Sequence, residues 1–147
     1  MISQRSRILL VEDDEDDVFL MQRAMSRANL DLPMHVAING QDAIDYLSGT
    51  GKYNDRASYP LPLCIFLDLK LPFIHGFEVL QWIRGQPLLR HISVLILTSS
   101  PEESDRARAK ALGAKAYLVK PPTPESLLEA LKFFPQCAPA AVGAEGG

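Results

Sequence analysis

A chain of 147 residues, 47% apolar and 22% charged, is long enough to bury a real core and reads as one globular domain. Its net charge of −3 offers no basic face for nucleic acid, and no run approaches the roughly 18 apolar residues of a membrane span. Cys64 sits in a central apolar run and Cys137 in the tail, so no disulfide between them is expected. With no apolar leader before Arg7, this points to a reducing, cytoplasmic setting.

Ile8-Leu9-Leu10-Val11 is a continuous apolar run of strand length that ends abruptly in acid, Glu12 to Asp17. Val18, Met21, Met25 and Ala28 then recur at helical spacing. Acids crowd the start of that helix and Arg23 and Arg27 its end, as the helix dipole favours, so Asp16 and Asp17 are read as helix-start charges. Pro33 to Ile38 is a weaker strand, followed by a short helix through Ala43, Ile44 and Leu47. The stretch from Ser48 to Pro62 is a loop of a length that usually signals function or mobility. Leu63-Cys64-Ile65-Phe66-Leu67 reads as a strand buried on both faces, closing on Asp68, with Pro72 forcing a turn.

Phe77, Leu80, Trp82 and Ile83 mark an amphipathic helix that ends around Gly85 and Pro87. Val94 to Leu97 is a further buried strand, closing on Thr98-Ser99-Ser100. A polar helix runs from about Glu102 to Leu112, and Ala116 to Val119 form the last strand, followed by Lys120-Pro121-Pro122. Thr123-Pro124-Glu125 opens a final helix that runs to about Phe134. Residues 135–147, rich in alanine, glycine and proline, are expected to be a flexible tail, and residues 1–5 a short N-terminal extension. Five strands alternating with five helices imply an α/β, doubly wound parallel sheet with helices on both faces.

The strand ends carry a pattern. Glu12 and Asp13 end the first strand, Asp68 the third, Thr98 the fourth, and Lys120 the fifth. In a doubly wound sheet these ends converge on one edge, where such folds bind ligands. Three carboxylates together repel and call for a hard cation such as Mg²⁺. A hydroxyl and an ammonium beside that ion complement an anionic phosphoryl group, which makes Asp68 a candidate nucleophile. His75, a lone loop histidine, is read as solvated, and Asp14 as part of the helix start.

Five stretches together resemble the receiver domains of two-component response regulators: Ile8 to Asp14, Leu67 to Pro72, Gly76 to Glu78, Leu97 to Ser100, and Gly113 to Pro121. The resemblance covers roughly residues 6 to 134. It implies a flavodoxin-like sheet of order 2-1-3-4-5, and a phosphoryl group passed to Asp68 from a phosphohistidine on a sensor histidine kinase. Carried over by position, it implies that Asp13 and Asp68 ligate Mg²⁺, with Glu12 acting through water and Lys70 through its backbone carbonyl. Lys120 and Thr98 would hold the phosphoryl oxygens, and the Tyr117 ring would move inward with Thr98. The Lys120-Pro121 bond resembles the family's cis peptide. The long loop before the Asp68 strand resembles that of regulators paired with bacterial and cyanobacterial phytochromes.

With a tail too poor in apolar residues to fold, the chain reads as a stand-alone receiver that signals by docking. The expected surface is a homodimer through the fourth and fifth strands and the last helix, with Phe133 and Phe134 in contact. Two rivals are a Mg²⁺-dependent aspartyl-phosphate phosphatase and a receiver-like binding module that is never phosphorylated. The first needs an acid two residues after its nucleophile, where this chain has Lys70. The second would lack one of the acids, the threonine or the lysine, and all are present.

Overall fold

The computed structural model describes residues 8–99 and 102–134; the expected N-terminal extension, Ser100 and the tail lie outside these. The strands are β1 (Ile8–Val11), β2 (Met34–Ala37), β3 (Cys64–Asp68), β4 (Ser93–Thr98) and β5 (Ala116–Val119). The helices between and after them are α1 (Glu15–Arg27), α2 (Gly40–Ser48), α3 (Gly76–Arg84), α4 (Glu103–Ala111) and α5 (Pro124–Ala130). All neighbouring strands pair in parallel, in the order β2-β1-β3-β4-β5.

Alternation along the strands divides the core in two. Leu9, Val11, Ile65, Leu67, Val94 and Ile96 point to one face, against apolar residues of α2 and α3. Ile8, Leu10, Phe66, Leu95, Leu97 and Leu118 point to the other, against α1 and α5. Side chains two apart share a face of a strand, so strands covered on both sides must be apolar along their length, as β1 is, and as β3 and β4 are inside their polar ends.

Four expectations change in three dimensions. The last helix stops at Ala130 and continues as a 3₁₀ turn, Leu131–Phe133, and the phenylalanine pair splits. Phe134 is fully buried while Phe133 is 57% exposed. Residues adjacent in a helical turn point about 100–120° apart and cannot present one flat surface. His75 is exposed but employed: its Nδ1 accepts the Phe77 N–H at 3.2 Å, and its own N–H donates to Glu78 at 3.0 Å, capping α3. Cys64 is disulfide-bonded rather than a free thiol, and Cys137, the chain's other cysteine, lies outside the described residues.

The loop after α2 is packed rather than open. Tyr53 is buried beside Tyr46 and Tyr59, and its hydroxyl donates to Asp42 at 2.7 Å. The Tyr46 hydroxyl donates to the Pro60 carbonyl at 2.8 Å. Arg56 donates to the carbonyls of Tyr46 and Leu47 at 2.8 and 2.7 Å, satisfying acceptors that the end of α2 leaves without helical partners. Among the described residues, no helix is long and apolar enough to cross a membrane.

The split phenylalanines give a direct test of the packing. Phe134→Ala should cost about 3–5 kcal/mol of unfolding free energy, whereas Phe133→Ala should stay within about 0.5 kcal/mol. Urea denaturation of the two variants against the wild type measures both.

Candidate functional site

Strand register builds the site. Val11 lies beside Ala37 on one side and Leu67 on the other, which sets Glu12 and Asp68 at the same edge of the sheet. One step along, Asp68 is level with Leu97, and Thr98 is level with Val119. Lys120, just past β5, donates its backbone N–H to the Thr98 carbonyl at 2.7 Å. The loop leaving Asp68 folds back at once, with the Gly76 N–H on the Leu69 carbonyl at 2.9 Å. Any Cβ at Gly76 would overlap the carbonyl oxygen of Asp68, so this turn requires glycine.

At the centre is the Lys120 ammonium. It lies 2.7 Å from Glu12 Oε1, 2.9 Å from Asp17 Oδ2 and 3.3 Å from Asp68 Oδ2. Glu12 and Asp68 are almost wholly buried, and the lysine nearly so. Glu12 also accepts the Asp14 N–H through Oε2 at 3.2 Å, and Asp68 Oδ1 accepts the Lys70 N–H at 3.3 Å. Asp14 caps α1, its Oδ1 accepting the Asp16 N–H at 2.8 Å. Asp13 is exposed at the rim, and the Lys70 side chain faces solvent.

The acids are crowded enough to hold a proton. Burial pushes the Glu12 carboxyl up to about 7, with the neighbouring Asp68 charge adding to the rise and the Lys120 contact opposing it. Burial also raises Asp68, against the pull of the Lys120 ammonium and of a hydrogen bond with Glu12. Burial alone would lower Lys120, but its bonds to Glu12 and Asp17 outweigh that and keep it charged. Carboxylate oxygens of Glu12, Asp13 and Asp68 all lie within 4.8 Å of one another. At that spacing the three acids could share one divalent cation. The donor set is all oxygen, which suits a hard divalent cation.

Thr98 is fully buried at the end of β4. The Tyr117 phenol is raised by burial and by the Asp105 charge, and lowered by a hydrogen bond with the Thr98 side chain. The Arg106 guanidinium lies 4.5 Å from the Tyr117 ring centre. The structure gathers Glu12, Asp13, Asp68 and Lys120, sets Thr98 at the end of the neighbouring strand, and adds Asp17, which the sequence reading leaves as a helix-start charge. The signal for Asp17 was present. Counting on from it by 4, 7, 8 and 11 gives Met21, Ala24, Met25 and Ala28, all buried, so Asp17 begins the inward stripe of α1.

Fold and pocket together define a doubly wound α/β protein with carboxylates, a hydroxyl and an ammonium gathered at the C-terminal edge of its sheet. The sequence model described as the response regulator receiver domain matches residues 8–132, and the chain belongs to that family. It is 36% identical over 113 residues to response regulator Rcp1 of Synechocystis, covering 77% of this chain and 75% of Rcp1. Among solved structures, the bacteriophytochrome response regulator RtBRR superposes with a TM-score of 0.80 at 42% identity, over 88% of this chain and 77% of that one. The Mn(2+)-bound form of Rcp1 superposes with a TM-score of 0.72 at 33% identity, over 89% and 88% of the two chains.

The protonated acid pair predicts a pH signature in the cation-free protein. Because the folded state holds the Glu12 proton up to about 7, against an ordinary value of 4.5, it binds more protons than the unfolded chain between those values. Stability from this group is therefore full below 4.5 and is lost as pH rises to about 7. With chelator present, melting temperatures should show the wild type falling behind Glu12→Gln across this window and a constant gap above it. A saturating divalent cation displaces the proton and should reduce the gap.

Proposed function

We propose that Asp68 accepts a phosphoryl group from a phosphohistidine of a sensor histidine kinase, within a receiver domain bounded at residues 6–134. The observation that carries this is the Lys120 ammonium buried among Glu12, Asp17 and Asp68. A carboxylate oxygen of Asp68 attacks phosphorus, the phosphorus–nitrogen bond breaks, and the imidazole keeps the electron pair. Lys120 and the Thr98 hydroxyl donate to the phosphoryl oxygens as negative charge gathers on them. Mg²⁺ would be held by Asp13, Asp68 and the Lys70 carbonyl, with Glu12 acting through water, and would supply charge neutralisation. The Mn(2+)-bound form of the relative Rcp1 supports a divalent ion here. The product is a signalling state rather than a released compound, so the chain acts as a phosphoacceptor and not as a turnover enzyme.

The signal leaves through Tyr117. Thr98 drawn to a phosphoryl group frees space for the ring, on the face formed by α4, β5 and α5. A groove of about 650 Å³ lies on that face, with Tyr117, Leu118 and Ala130 in its lining and the exposed Phe133 among its residues. We assign homodimerisation to this face, strengthened by phosphorylation. The likeness to RtBRR, a bacteriophytochrome regulator, supports a phytochrome-type kinase as donor. An ATP-dependent donor supports a cytoplasmic setting; the cysteines do not, since Cys64 is bonded.

Acetyl phosphate with Mg²⁺ should place one acid-labile phosphoryl group on the wild type and none on Asp68→Asn, read by intact mass. Labelling that survives in Asp68→Asn, or in the presence of chelator, would overturn the assignment.

Sedimentation of the wild type and Phe133→Ala, with and without phosphodonor, tests the dimer. The wild type should gain a dimer on phosphorylation, with association weakened in the variant; a monomer throughout removes the proposed interface.

A further inference from the structure

We infer that Asp17 is the counter-ion Lys120 gives up when a phosphoryl group arrives on Asp68, and that Asp17 thereby sets how tightly the pocket holds that group. The inference rests on the phosphoacceptor reading above. An ammonium has three N–H donors, and here three carboxylates surround it: Glu12 at 2.7 Å, Asp17 at 2.9 Å and Asp68 at 3.3 Å. Glu12 and Asp17 take hydrogen bonds from it, while Asp68 completes the ring as a longer ion pair. A phosphoryl group on Asp68 therefore gains a second short contact from the ammonium only if one of those two hydrogen bonds yields.

Glu12 and Asp17 are not equally free to do so. The Glu12 side chain is 2% exposed, and an ionised carboxylate there would lose its compensation without gaining water. Asp17 is 29% exposed, so its carboxylate can turn to solvent at small cost. It stands in the first turn of α1, where the helix dipole stabilises it whether or not the lysine is near. Its negative charge also opposes an incoming anion. Asp17 is thus the weaker of the two hydrogen-bonded holds and a competitor for the lysine.

The test uses beryllofluoride, a tetrahedral stand-in for the phosphoryl group, titrated calorimetrically at saturating Mg²⁺. Asp17→Asn should tighten binding about two- to fivefold, the range of a half-exposed ion pair. Asp17→Glu, which restores the charge and the reach, should return towards the wild type. Asp16→Asn removes an equal charge from the same helix start without touching Lys120 and should leave affinity unchanged. Unchanged or weaker binding in Asp17→Asn, or equal tightening in Asp16→Asn, overturns the role of Asp17 alone. Failure of the wild type to bind beryllofluoride, or undiminished binding in Asp68→Asn, overturns the phosphoacceptor reading and this inference with it.

Discussion

The structure turns on one buried ammonium. Lys120 leaves the end of β5 and reaches carboxylates from the end of β1, the end of β3 and the first turn of α1. A charge withdrawn from water is tolerable only with close, well-aligned partners, so these four segments must meet with little freedom. The parallel register supplies that alignment, because strands level at Val11, Ala37 and Leu67 deliver Glu12 and Asp68 to one edge. Burial raises the Glu12 and Asp68 carboxyls, with the Asp68 charge adding to the rise at Glu12, and the excess of acid over base suits a divalent cation. The pocket is poised, with more negative charge than its single lysine neutralises.

Around this edge the protein combines fixed and movable parts. The turn after Asp68 is pinned by Gly76 against the strand it leaves. On the far side of α3, Arg84 donates to the carbonyls of Arg90, Leu112 and Gly113 at 2.6, 3.2 and 2.7 Å, tying the end of α4 to α3. The tyrosine-rich loop closes the α2 side in the same way, with hydroxyls and a guanidinium answering buried acceptors. The Thr98–Tyr117 pair lies on the other flank, beside α4, whose outer surface is mostly polar and whose only buried residue is Ala109. A scaffold rigid near α2 and α3 and lightly packed near α4 directs a change at Asp68 towards the α4–β5–α5 face.

Much of this was legible in the residues themselves. Runs such as Ile8 to Val11 and Val94 to Leu97 have one structural solution, a strand covered on both faces, and their polar terminations mark the functional edge of the sheet. Periodicity located the helices because burial of one stripe follows the 3.6-residue turn. These are local properties, and they determined the strand and helix alternation, the convergence of Glu12, Asp13, Asp68, Thr98 and Lys120, and the kind of chemistry that converges there.

Tertiary structure decided what depends on direction rather than order. Asp16 and Asp17 are the same residue type side by side, yet only Asp17 turns inward to Lys120, because about 100° of helix separates them. Phe133 and Phe134 part company for the same reason, one to solvent and one to the core. The loop rich in glycine, proline and tyrosine could be read only by its length, because its packing on Tyr46 of α2 and His35 of β2 depends on ring directions that spacing does not show. Composition and spacing carried the identity of the groups at the site, since those follow from where strands end. Which acid holds the lysine, and which aromatic faces water, required the angles at which helices pack on the sheet, and those are set only when the whole core closes.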